Sequence, residues 1–120
     1  MNSDKHQWTI EYYSPLGSKN APLAEFIASL PIKAKAKLSN TFDLLIEFGT
    51  KIGMPHVKKL VGTPLWEIRV LGQDSIRVFY VTTVNSTFLL LHGFIKKKQK
   101  TPSKEIKTAV NRLNEFKSRA

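Results

Sequence analysis

The chain has 120 residues, 42% of them hydrophobic, which suits one domain around one core and excludes extensive disorder. Lys and Arg number 19 against 9 Asp and Glu, a formal net charge of +10. That balance points to a polyanionic partner such as RNA, DNA or a ribosome, ahead of an anionic membrane surface or charge kept only for solubility. With no cysteine, disulfides, thiol catalysis and thiolate metal sites are excluded.

The segment Met1 to His6 is polar and lacks the apolar stretch of a secretory signal. The run Phe88-Leu89-Leu90-Leu91 is far too short to span a bilayer, so a soluble, cytoplasmic protein is expected. Gln7 to Tyr13 carries Trp8, Ile10, Tyr12 and Tyr13 in partial alternation and predicts a strand, and Ser14 to Ser18 a loop. Ala21 to Ser29 predicts a short helix with Pro22 near its first position. Pro31 opens a second helix, along which Leu38, Phe42, Leu45 and Ile46 recur at helical spacing until Gly49 stops it. Together these read as a helical hairpin.

Lys51 to His56 is a connector, and beyond it the hydrophobic period changes. Leu65 to Val70 and Ile76 to Thr82 predict two strands joined by a tight turn at Gly72-Gln73-Asp74. A second turn at Thr83 to Ser86 leads into Thr87 to Ile95, apolar enough for a central strand covered on both faces. After the run Lys96-Lys97-Lys98-Gln99-Lys100, Thr101 is the expected N-cap of a last helix and Pro102 its first residue. Ile106, Ala109, Val110, Leu113 and Phe116 give that helix one apolar face. The order predicts one α+β domain over residues 1–120, an antiparallel sheet with an N-terminal helical hairpin and a C-terminal helix packed on it.

The acids are scattered, the histidines His6, His56 and His92 lack zinc-ligand spacing, and no glycine-rich phosphate loop is present. No metal or cofactor is expected, so any hydrolysis falls to side chains. The candidates are cations on strands and at strand ends: Lys58 and Lys59, Arg69, Arg77, His92, and the Lys96 to Lys100 run. If the Gly72-Gln73-Asp74 turn is a three-residue loop, Leu71 pairs with Ser75 and Arg69 faces Arg77. Like charges opposite one another cost stability, a cost that makes sense if the pair awaits a phosphate. A two-residue loop would separate them. Structural alternatives stand beside each reading. Arg69 can pair with an acid such as Asp74, Arg77 can brace the sheet, His92 can be a hydrogen-bonded core histidine, and the lysine run can be a solvated loop. Trp66 and Tyr80 read as core, although an aromatic beside a cationic groove can stack a base.

Three segments carry a resemblance: Leu65-Trp66-Glu67-Ile68-Arg69, Arg77-Val78-Phe79-Tyr80, and Leu91-His92-Gly93-Phe94-Ile95 running through Lys96-Lys97-Lys98-Gln99-Lys100 to Thr101-Pro102. The chain resembles the RelE/ParE superfamily of type II toxins, especially its HigB-like branch with phage-derived members, over roughly Lys58 to Lys117. The resemblance implies a RelE-like fold and a ribosome-dependent endoribonuclease, an mRNA interferase that inhibits translation. It also implies an acidic helix-turn-helix antitoxin of the HigA kind as partner. Carried over, Arg69 is the transition-state clamp, and Lys96, Lys97 and Lys98 are phosphate ligands, one of which can act as acid or base. His92 and Gln99 line the site, with Lys58, Lys59, Arg77 and Lys100 as further RNA contacts. The chain has no tyrosine after Tyr80, where several relatives of the RelE type carry a functional one, so the base is left open. Three alternatives remain: a gyrase-directed toxin of the ParE branch, a non-enzymatic basic module that binds nucleic acid, and a degenerate toxin that folds but is inactive.

Overall fold

In chain order the computed structural model, which describes residues 7–53, 55–70, 72, 75–97 and 99–119, begins with strand β1 (Thr9–Tyr12). Helices α1 (Pro22–Ala28) and α2 (Ile32–Phe48) follow, then a 3₁₀ turn, Gly49–Lys51. Strands β2 (Val57–Lys59), β3 (Trp66–Arg69), β4 (Ile76–Thr83) and β5 (Thr87–Ile95) come next, and helix α3 (Ser103–Lys117) closes the chain. Lys98, expected to contact phosphate, and Asp74, the expected alternative partner of Arg69, lie outside the described residues.

The strands form one sheet in the order β1-β5-β4-β3-β2. Three pairings are antiparallel, but β1 lies parallel to β5, so the sheet is mixed and not antiparallel throughout as expected. Alternation along a strand reports which face is buried and is silent on direction. The long passage through α1 and α2 lets β1 sit beside β5 in either sense. The three-residue β2, between the expected connector Lys51 to His56 and the strand from Leu65, was not foreseen, because so short a strand shows no periodicity to read.

The sheet buries a cluster on each face. On one face Leu23 of α1 and Ala34, Leu38 and Leu45 of α2 meet Ile68, Val78, Tyr80, Phe88 and Leu90. On the other, Ala109 and Leu113 of α3 cover Leu65, Phe79, Leu89, Leu91 and Phe94. Phe79 and Phe88 are fully buried, each contributing roughly 2–3 kcal/mol by leaving water. β5 has helices on both sides, as its apolar run predicts. The expected helices are both present, but the hairpin between them is not borne out. α1 makes its main contacts with β5, and α2 with β1 and the 3₁₀ turn. Extended backbone at Pro31 turns the chain between them.

Two glycines set the packing. Gly49 ends α2 with φ 62 and lies under the Trp8 indole, which would collide with any Cβ there. Gly93 lets α1 approach β5, since a Cβ would run into Leu23 and Phe26. Helix α3 starts one residue later than expected. Pro102 is extended at the N-cap position, and Thr101 does not cap it. Among the described residues no helix is long and apolar enough to cross a membrane.

Candidate phosphate-binding site

Cross-strand partners share a face, so the register decides which cations converge. Arg69 pairs with Arg77, and Arg77 with Phe94. This is the pairing that a three-residue turn requires, with the Val70 N–H donating to the Ile76 carbonyl at 3.0 Å. Glu67 lies two residues before Arg69 on the same face, opposite Phe79. Both arginines therefore stand on the α3 side of the sheet, at the end where β3 finishes, β4 starts and β5 finishes.

Glu67 is 4% exposed and is the acid that meets the arginine pair. Its Oε1 lies 3.8 Å from Nε of Arg69 and 3.9 Å from Nε of Arg77, too long for hydrogen bonds. Among the described residues, Oε2 of Glu67 and both arginine Nε atoms are buried without a hydrogen-bond partner. Nη1 of Arg77 donates to the Ile76 carbonyl at 3.1 Å. Burial pulls the Arg77 guanidinium below its ordinary pKa. Glu67 pushes it back up, and Arg69 adds to the fall. Buried polar atoms left unpaired are uncommon and call for a reason. A bound oxyanion would supply one, because guanidinium forks match phosphate oxygens.

A groove adjoins this cluster across Phe94. Its walls include Lys97, Lys100, Thr101, Lys104, Glu105 and His92. Phe94 is next to Arg77 at one strand spacing, about 4.8 Å, and stacks on the His92 ring at 5.8 Å between centroids. Lys96 is half-buried, and its N–H donates to the Ser75 carbonyl at 2.9 Å. Gln99 and Lys100 are exposed on the loop into α3. Arg69, Arg77, Lys96 and Lys97 thus gather at one end of the molecule.

The expected lysine pair separates. Lys58 faces Glu67 on the arginine side, while Lys59 pairs with Trp66 on the opposite face and bonds the Thr63 carbonyl. Trp66 departs from its core reading, being 39% exposed in an edge cleft with Thr50, Ile52 and Thr82. It lies on the face away from the arginines, so it does not flank the cationic groove. Tyr80 is core, and burial pushes its phenol up to about 12.

His92 reaches α3 because of a bulge in β5. Phe79 pairs with His92 but Tyr80 pairs with Leu90, leaving Leu91 as the extra residue. Leu91 and His92 consequently both turn toward α3. Nη1 of Arg112 donates to the Leu91 carbonyl at 2.8 Å and to His92 Nδ1 at 3.3 Å. That fixes the tautomer with hydrogen on Nε2, which donates to Glu105 Oε1 at 2.7 Å. Both ring nitrogens are engaged, so His92 ties the strand to the helix in this arrangement.

Sequence reasoning passed over Glu67, Glu105 and Arg112. Strand alternation could have found the first, since residues two apart share a face. Helical spacing could have found the others, since residues seven apart share a helix face.

A family model described as phage-derived protein Gp49-like (DUF891) matches residues 25–114, from α1 into the last turns of α3, and so contains every candidate above. No curated protein matches the chain.

Proposed function

The chain belongs to the Gp49-like family of phage-derived, toxin-like proteins, and from that premise we propose that it is a type II toxin of the RelE/HigB kind. In this reading it cuts mRNA on the ribosome, and an acidic helix-turn-helix antitoxin of the HigA kind holds it in check. The observation that carries the reading is the facing pair Arg69 and Arg77, which meets Glu67 only beyond hydrogen-bond distance.

The chemistry needs a 2′-hydroxyl of RNA to attack the adjacent phosphate. A base takes its proton, the pentavalent phosphorane collects negative charge, and the 5′-oxygen leaves with a proton. Arg69 and Arg77 stabilise the added charge from one side of the scissile phosphate. A well-placed donor of this kind contributes about 3–4 kcal/mol. Lys96, Lys97 and the groove lysines hold neighbouring phosphates and supply the leaving-group proton. Among the described residues, His92 positions β5 and α3 around the groove, since neither of its nitrogens is free. The ribosome orients the message, which fits a site that is an open groove and not a closed pocket.

The test is induced expression followed by primer extension on translated and untranslated mRNA. Cleavage of translated message is expected, together with a loss on the order of 10²–10³-fold for Arg69→Ala and retained antitoxin binding. A fully toxic Arg69→Ala variant, or replication arrest with translation intact, would overturn the reading.

A further inference from the structure

We infer that Glu67 sets the charge of the arginine pair so that it accepts a monoanionic phosphodiester in preference to a dianionic phosphate. The inference rests on the reading above only in taking the pair to bind phosphate.

Among the described residues, the two guanidiniums and the one carboxylate in mutual contact carry a single net positive charge, while Lys96 and Lys97 stand outside that contact at the same end and attract either anion. Glu67 sits behind the pair, buried, with its Oε1 near both Nε atoms and its Oε2 without a partner. It supplies counter-charge yet takes no hydrogen bond from either guanidinium. An internal phosphodiester carries one negative charge and neutralises the cluster. A terminal phosphate or inorganic phosphate carries about two near pH 8, and its second charge meets the Glu67 carboxylate at short range in a poorly solvated setting. Lys58 stands opposite Glu67 in the register but is exposed, where solvent screens its charge. The same arrangement would steer the protein to the interior of an RNA strand and away from its phosphorylated ends.

The experiment follows the Nε–Hε resonances of Arg69 and Arg77 by NMR in the intact protein. Dimethyl phosphate and inorganic phosphate are titrated separately at pH 8 and constant ionic strength. In the unaltered protein, dimethyl phosphate should bind at least as tightly as inorganic phosphate despite its smaller charge. In Glu67→Gln, affinity for inorganic phosphate should rise on the order of tenfold, and the preference should reverse. Tighter binding of inorganic phosphate by the unaltered protein overturns the inference, and that measurement stands even if Glu67→Gln does not fold. An unchanged preference in a folded Glu67→Gln also overturns it. If neither anion moves the resonances, the phosphate reading of the pair falls too. Cleavage of mRNA with the wrong anion preference sinks this inference alone.

Discussion

The carboxylate of Glu115 receives a hydrogen bond from the Tyr13 hydroxyl at 2.6 Å and is gripped by Arg119 through both Nε and Nη2. Arg119 also bonds the Ser14 carbonyl and lies over the Tyr13 and Phe116 rings. The carboxylate of Glu67, between two arginines, has one oxygen without a partner and the other at 3.8 and 3.9 Å from nitrogen. The same two residue types build a closed clasp at one end of α3 and an open cluster near the other. The clasp engages both carboxylate oxygens of Glu115 in holding α3 to the residues after β1. The open cluster keeps guanidinium capacity in reserve at the cost of burying unpaired charge, and reserved capacity is what a ligand site requires.

The sharpest way to break the comparison is to remove the carboxylate from the open cluster. Glu67→Ala leaves Arg77, with a side chain only 12% exposed, facing Arg69 with no counter-ion between them among the described residues. Deleting one partner of a buried ionic group costs about 3–5 kcal/mol. Solvent access at Arg69, 27% exposed, favours the lower figure of about 3 kcal/mol. Urea unfolding measures it. Phosphate in the buffer should recover more stability for this variant than for the unaltered protein. A loss under about 1 kcal/mol would mean that the arginines already disperse their charge into water.

His92 offers a middle case, closed like the clasp but set in the groove wall. His92→Ala strands Glu105 and frees Arg112 from the ring, while Arg112 keeps the Leu91 carbonyl. The expected loss is about 1–2 kcal/mol by urea unfolding. His92→Gln, which can still donate to Glu105, should recover part of it. A full-stability His92→Ala variant would show that the network does not hold α3 to β5, and would return the ring to the candidates for proton transfer.

The arginine pairing was legible before any coordinates only as one of two alternatives, because strand parity ties it to a loop length that the residues alone left open. Glu67 was equally within reach, two residues before Arg69 in the same strand, but the search for acids looked for metal clusters and not for partners of cations. The position of His92 was not legible. It depends on a bulge at Leu91, and nothing in the run Leu89-Leu90-Leu91 marks where one residue drops out of register. The parallel placement of β1 was hidden for a related reason, since burial patterns do not record strand direction. The exposure of Trp66 follows from its place in β3 on the face that α2 only partly covers, a consequence of tertiary packing that local composition does not carry.

The smallest effect belongs to the closed clasp and appears only in acid. Hydrogen bonds from Arg119, then from Tyr13, hold the Glu115 carboxyl at about 2, well below its ordinary 4.5. A carboxylate depressed in the folded state contributes stability that is present above its unfolded value. That contribution is lost as pH falls toward the folded value. The clasp should therefore weaken between about pH 4.5 and 2, as the unfolded chain takes up the proton first. Thermal melts across that interval should show a decline for the unaltered protein and a shallower one for Glu115→Gln, which has no proton to gain. Equal slopes would mean that the clasp is as loose in the folded protein as in the unfolded chain. The proposed messenger cleavage should be the same for both proteins near neutral pH, because the clasp lies at the far end of α3 from the arginine pair.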